Sequence, residues 1–291
     1  MNEIAPAPPS LIGQKVPRIE DRALLAGRGR FADDLPTKRT TLHAHVLRSP
    51  HAHARILGIE TAAALALPGV HAVLTGEEVR RCSDSFLVAL KAKVEQWALA
   101  VGCVRYVGEA VALIVAESRY IAEDAADLVE VAYAPLPAVI DVREAVQPEA
   151  PLLHEGTPGN EVSRRDFVYG DPDGAFAAAD RVVATTVTWP RSSFTPMECF
   201  VVVAEHLPDD DSYDVLANFQ GPFSAHPVMA RALRVPGPRL RLRIPPDSGG
   251  SFGIKLSVFP YIVLMAIAAK VTGRPVKWVE DRLEHLLAAS S

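Results

Sequence analysis

An α+β fold is predicted by three features of the chain. Across residues 40–146, short β-forming runs alternate with alanine-rich helical segments. Residues 110–115 are continuously apolar, as in a strand covered on both faces. Near the end, residues 239–244 alternate strictly, with Leu240, Leu242 and Ile244 on one face and three arginines on the other, then run through a glycine-rich turn into an apolar helix.

A length of 291 residues suits about two domains, each able to bury its own core. Hydrophobic residues at 49% and charged residues at 22% match a globular chain, and a net charge of −5 supplies no basic field for nucleic acid or an anionic membrane. The longest apolar run, 258–269, is short for a bilayer and contains Pro260, so a core helix is expected. The N-terminus shows no basic, apolar, small-residue series of a signal peptide, and a cytoplasmic location is expected. Cys82, Cys103 and Cys199 are too scattered for a disulfide framework or an iron–sulfur cluster. They read as small buried hydrophobes, and any iron–sulfur centre belongs on another chain.

Residues 1–16 hold several prolines with little to bury and read as an extended arm. Strands are predicted at 42–47, 70–74, 110–115 and 129–133, with a short helix at 61–67 closed by Pro68 and Gly69. Ser118 is positioned to cap a helix whose Ile121, Ala125 and Leu128 share the inner face. His43, His45, His51 and His53 sit at strand spacing, but no cysteine or carboxylate follows at ligand distance, so they read as packed or surface residues rather than metal ligands. Prolines and glycines across 147–160 break both periodicities and mark a linker between a first domain, 17–146, and a second, 161–291. The second domain is predicted to hold a helix at 173–180, strands at 181–189, 200–205 and 214–219, with Asp209, Asp210 and Asp211 at a turn, and a helix at 227–233.

The segment that follows, from Pro246 to Lys255, places Gly249, Gly250 and Gly253 with Ser248 and Ser251 between the arginine-faced strand and a helix over 261–271, which Gly273 closes. Bare backbone N–H groups beside a helix start attract anions, and phosphate is the natural guest; a plain tight turn is the alternative. Two phosphate motifs fail. A P-loop needs Gly before the lysine and Ser or Thr after it, where Ile254 and Leu256 stand, and the glycine spacing does not match the dinucleotide fingerprint.

This Gly-Gly-Ser-Phe-Gly-Ile-Lys segment resembles the Gly-Gly-x-Phe-Gly-x-Lys of the molybdenum hydroxylases, the family of xanthine dehydrogenase, aldehyde oxidase and aerobic carbon monoxide dehydrogenase. The resemblance continues into Arg274-Pro-Val-Lys-Trp-Val-Glu-Asp-Arg and covers roughly 11–291. Upstream, Tyr106-Val-Gly-Glu, Ala116-Glu-Ser-Arg-Tyr and Tyr133-Ala-Pro-Leu-Pro-Ala-Val resemble the family's α/β-hammerhead domain, and residues from 161 onward its first molybdopterin-binding domain.

The resemblance implies a molybdenum–molybdopterin cofactor, in the cytosine dinucleotide form, with iron–sulfur and FAD on partner subunits. It implies that the N–H groups of Phe252 and Gly253 face the oxygen ligands of molybdenum, and that Gly249, Gly250 and Ser251 let backbone approach the cofactor. Gln220, in Phe-Gln-Gly-Pro, corresponds to the pocket edge or else stabilises a turn. Pro196-Met197-Glu198 resembles the family's Pro-Met-Glu; a glutamine that bonds a molybdenum oxygen just upstream is replaced by Pro190 or Ser192. Leu256 corresponds to a glutamate that binds purine in the xanthine-oxidising branch, and implies a less polar substrate, an aldehyde or N-heteroaromatic hydroxylated with water as oxygen source, or else carbon monoxide. The catalytic general-base glutamate is expected in a C-terminal molybdopterin-binding domain or subunit not contained in these residues, so the chain alone is expected to be inactive. Glu280, Asp281 and Glu284 read as a solvated helix start. Gly253→Val is expected to abolish cofactor retention, and Lys255→Ala to matter less. The alternative to an enzyme subunit is a noncatalytic module that keeps the fold and binds partner subunits.

Overall fold

The structure is a computed structural model and describes residues 10–86, 94–189 and 194–289. After a short helix α1 (Asp21–Leu25), the chain forms β1 (Leu42–Arg48), β2 (Ala54–Glu60), α2 (Ala62–Ala66), β3 (Val70–Thr75) and α3 (Gly76–Cys82). Next come β4 (Cys103–Val104), β5 (Ala110–Ala116), α4 (Arg119–Ala126), β6 (Glu130–Pro135) and α5 (Val142–Ala145). The remainder supplies α6 (Pro172–Ala177), β7 (Val201–Leu207), β8 (Ser212–Ala217), α7 (Pro222–Ala232), β9 (Leu240–Arg243), α8 (Phe259–Thr272), β10 (Val276–Val279) and α9 (Arg282–Ala288).

One sheet joins both halves of the chain, in the order β3-β5-β1-β10-β7-β8-β9, and a smaller sheet runs β4-β2-β6. The junction is β10. It pairs parallel to β1, with Leu42 opposite Val276, and antiparallel to β7, with Trp278 opposite Val202. The linker predicted at 147–160 therefore connects segments that share a single core, in which Leu42, Leu113 and Val115 pack with Val202, Val215 and Trp278.

β5 shows why its sequence is apolar without alternation. All seven residues are buried, Leu113 and Val115 in the shared core and Ile114 and Ala116 in a second cluster under α4. α4 begins at Ser118, whose side chain accepts the Ile121 N–H at 3.2 Å. Its buried residues are Ala122, Ala125 and Ala126, and Ile121 packs against them, so the predicted inner face holds for Ile121 and Ala125, while Leu128 lies past the helix end and is exposed. α8 is apolar all round because residues 261–269 are all buried. With the preceding 3-10 turn the segment Ile254–Thr272 is long and apolar enough to cross a bilayer, so its burial rather than its length marks it as a core helix.

The short elements α1, β4 and α5 escaped the sequence reading, as did β2, hidden behind the turn at Ser49, and α3, which Thr75 and Glu78 start through a capping box, with the Thr75 N–H donating to Glu78 Oε2 at 2.7 Å. Three expectations are corrected. Residues 181–189 form no strand, and Val182, Val183, Val187 and Trp189 are exposed, because no neighbouring strand among the described residues pairs with their backbone. The cysteines are not core residues: Cys82 is exposed and Cys103 and Cys199 are half-buried. Glu280 and Glu284 are buried at 3% and 9% exposure.

The 181–189 segment yields a direct expectation. Its amides should exchange with solvent as an unprotected chain does, while those of β5 exchange only through global opening. Hydrogen exchange by mass spectrometry checks this, and protection of 181–189 comparable to β5 would mean that it pairs as a strand after all.

Candidate functional site

The glycine-rich loop leaves the end of β9 and is held against three segments distant in sequence. Asp247 pairs with Arg30 in both directions, its Oδ2 accepting the Arg30 N–H at 2.6 Å and its own N–H donating to the Arg30 carbonyl at 3.3 Å. Glu198 holds the next turn. Its Oε2 accepts from the Gly249 N–H at 3.0 Å and from Lys255 Nζ at 2.6 Å, and its Oε1 from the Ala32 N–H at 3.1 Å. The backbone closes the pair from the other side, where the Glu198 N–H donates to the Gly249 carbonyl at 3.2 Å. Gly249 is required by this approach, since a Cβ there would collide with that of Glu198.

Gln220 holds the far side of the loop. Its Oε1 accepts from Ser251 Oγ and, at 3.0 Å, from the Gly253 N–H, while its backbone N–H donates to the Lys255 carbonyl at 3.3 Å. The side-chain amide thus does the turn-stabilising work. Its Nε2 donates to nothing among the described residues and faces solvent. Of the two N–H groups expected to face a ligand, that of Gly253 is committed to Gln220, and that of Phe252 has no acceptor among the described residues.

Between the Glu198 and Gln220 anchors, the N–H groups of Gly250, Ser251 and Phe252 have no acceptor among the described residues. Three successive N–H groups that no acceptor among the described residues takes form a run of donors of the kind that binds an anion. Phe252 has φ of 54°, a left-handed conformation costing an L residue roughly 1–2 kcal/mol. Gly253 has φ of 96°, and a Cβ built on it meets nothing within 4 Å, so the loop presents an open face there. Backbone held in rare conformations by side-chain anchors is the pattern of a built ligand site. These residues fit an anionic molybdenum–pterin group: free donors, an open cradle at Gly253 and an unused Gln220 amide.

The electrostatics of the anchor are those of a largely desolvated pair. Lys255 is 1% exposed, a burial that nothing in the local sequence announces. Burial by itself raises the Glu198 carboxyl, but Lys255 and the N–H donors of Gly249 and Ala32 outweigh it and hold the group below its ordinary value. With the folded value depressed, the stabilisation is present above the ordinary carboxylate range and is lost as pH falls through that lower value.

The other predicted residues fall around this centre or away from it. Leu256 is 44% exposed on the 3-10 turn after the loop, its Cδ1 3.6 Å from where a Cβ on Gly221 would stand. Pro190 and Ser192 lie outside the described residues. Glu280, Asp281 and Glu284 start a helix as predicted but dock it inward. Asp281 caps α9, Glu284 Oε1 accepts from Arg48 Nε of β1 at 3.0 Å, and Glu280 Oε2 lies 2.7 Å from His285 Nδ1. Arg282 donates to the carbonyls of Pro196 and Met197 at 2.6 and 3.0 Å and so supports the turn that carries Glu198. His53 Nδ1 bonds the Pro137 carbonyl at 2.8 Å and His51 packs edge-on to Tyr133. Burial holds the Cys103 and Cys199 thiols above their ordinary range, so neither offers a ready thiolate.

The sequence reading missed Glu198 and the Arg30–Ala32 segment as parts of the site. A carboxylate in the Pro-Met-Glu turn was visible, but its partners lie 51 to 166 residues away.

Comparison with known proteins fits this geometry. Residues 153–291 match the molybdopterin cofactor-binding domain, and residues 26–137 the α/β hammerhead domain of aldehyde oxidase and xanthine dehydrogenase. The chain is 39% identical over 285 residues to the nicotine 6-hydroxylase large subunit of Paenarthrobacter nicotinovorans, an alignment covering 97% of this chain and 35% of that one. It is 36% identical over 280 residues to the carbon monoxide dehydrogenase large chain of Hydrogenophaga pseudoflava, covering 92% of this chain and 34% of that one. Among solved structures, quinoline 2-oxidoreductase from Pseudomonas putida 86 superimposes with a TM-score of 0.88 at 38% identity, over 97% of this chain and 36% of the other. The chain therefore spans about a third of the length of these relatives.

Proposed function

The chain belongs to the molybdenum hydroxylase family of aldehyde oxidase, xanthine dehydrogenase and carbon monoxide dehydrogenase, and from that membership we propose that it forms the hammerhead and first cofactor-binding portion of an oxidoreductase subunit that hydroxylates an N-heteroaromatic or an aldehyde. The observation that carries this reading is the run of N–H donors Gly250 to Phe252, without an acceptor among the described residues, beside the open face of Gly253. A molybdenum–molybdopterin group held there by these N–H donors, in its cytosine dinucleotide form, would supply the net conversion of R–H and water to R–OH with two protons and two electrons, the electrons passing to iron–sulfur and FAD on partner subunits.

The chain's own residues prepare the site. Fixed amide dipoles at Gly250, Ser251 and Phe252 favour negative charge on the group with no reorganisation during turnover. Gln220 keeps the loop open by holding Ser251 and Gly253 while presenting its Nε2 outward. Molybdenum and nucleotide analysis of the protein co-expressed with its partner subunits tests the proposal. A folded, assembled complex without molybdenum would support the noncatalytic module instead.

Leu256 bears on the substrate. A polar purine facing it would find no hydrogen-bond partner there, a loss of about 1–3 kcal/mol where the bound substrate desolvates the contact, or roughly tenfold to a hundredfold in specificity. The nicotine- and quinoline-oxidising relatives support an N-heteroaromatic over xanthine. We expect kcat/KM for a pyridine- or quinoline-type compound or benzaldehyde to exceed that for xanthine, and xanthine favoured by tenfold or more would refute it.

A further inference from the structure

We infer that Glu198 is the positioning residue of the glycine loop, and that residues 30–32 form a strap held on the same carboxylate, so that loop and strap are ordered or released together. The inference rests on the loop being the cofactor site, but its geometry stands independently. Each Glu198 oxygen serves a different segment: Oε1 takes the Ala32 N–H at 3.1 Å, and Oε2 takes the Gly249 N–H at 3.0 Å together with Lys255 Nζ at 2.6 Å. Strap and loop are also bonded directly, through the two Arg30–Asp247 hydrogen bonds.

Neither segment belongs to a helix or strand, so neither has a ladder of its own to order it. The strap's other fixed point is Asp33, whose carboxylate lies 2.6 Å from Lys277 Nζ of β10. The shared carboxylate is thus where the sheet-anchored strap, the loop and the buried lysine meet. A carboxylate is the side chain suited to this, because two oxygens with about four lone-pair positions satisfy three donors at once. An amide offers one oxygen and adds donors of its own, and so leaves at least one segment unheld.

The test removes the acceptor while keeping the interior neutral and filled. In the assembled enzyme, Glu198→Leu combined with Lys255→Met avoids a lone buried charge, so the fold is expected to survive. Hydrogen exchange at Ala32 and Gly249 should accelerate together by about tenfold or more, with β5 amides unchanged. Glu198→Gln should loosen at least one of the two segments. Unchanged protection at both sites in the double variant, acceleration at one only, or a matched acceleration in β5 would overturn the inference. Molybdenum content is the second readout: it should drop in the double variant, and wild-type content with both segments loosened would remove the positioning role. If the wild-type enzyme holds no molybdenum, the cofactor reading fails while the exchange result still decides whether Glu198 couples strap and loop.

Discussion

Replacing Gly253 by valine is expected to deplete the assembled enzyme of molybdenum by at least tenfold while leaving it folded. The reason is conformational before it is steric. Gly253 has φ of 96°, where a β-branched residue is a genuine outlier, so valine forces the peptide out of the position in which its N–H donates to Gln220. The added side chain meets no protein atom within 4 Å of its Cβ, so the fold itself has room for it. The space it enters is the open face proposed for the cofactor. Gly253→Ala should fall between, since a methyl group carries the backbone strain of roughly 1–2 kcal/mol with little bulk. Metal analysis on folded complex decides the matter: undiminished molybdenum in Gly253→Val would reduce the loop to a turn.

Replacing Lys255 by alanine should destabilise the protein by about 3–5 kcal/mol. Two losses combine. The variant strands Glu198 in a site with a side-chain exposure of 12% and no cation, and it leaves a cavity where a wholly buried four-carbon stem had packed. For a domain of this size the midpoint of thermal unfolding should drop by roughly 10 °C. Lys255→Met should lose less, because the stem is kept, and adding Glu198→Leu should recover most of the rest. Differential scanning calorimetry separates these cases, and a Lys255→Ala protein within about 1 kcal/mol of wild type would mean that the ion pair is exposed in solution.

Much of the fold was legible in residue pattern. The continuous apolar stretch at 110–115 became the fully buried β5, Ser118 capped α4, the aspartates at 209–211 turned between β7 and β8, and Gly273 ended α8 in a left-handed conformation. These are decisions a chain makes within a few residues, through side-chain period, capping and permitted backbone angles, and so they are written locally.

The candidate site was only half legible. Its glycines stood out because they depart from the periodicity around them, and Gln220 and Phe252 because their segments resemble the family's. The joins between segments did not. Nothing local tells that Lys255 is buried, that Glu280 and Glu284 face inward, or that residues 181–189, whose alternation suits a strand, find no partner strand among the described residues. Strand pairing requires a second strand, and a buried charge requires a counter-charge, and both are supplied from elsewhere in the chain. The sequence by itself determined which segments can be strands, helices and turns, and that a donor-rich loop stands between β9 and α8. Tertiary structure alone decided that β10 fuses the two halves into one sheet and that one carboxylate gathers Ala32, Gly249 and Lys255, because those contacts join residues 51 to 234 positions apart, and distant partners leave no period in the residues between them.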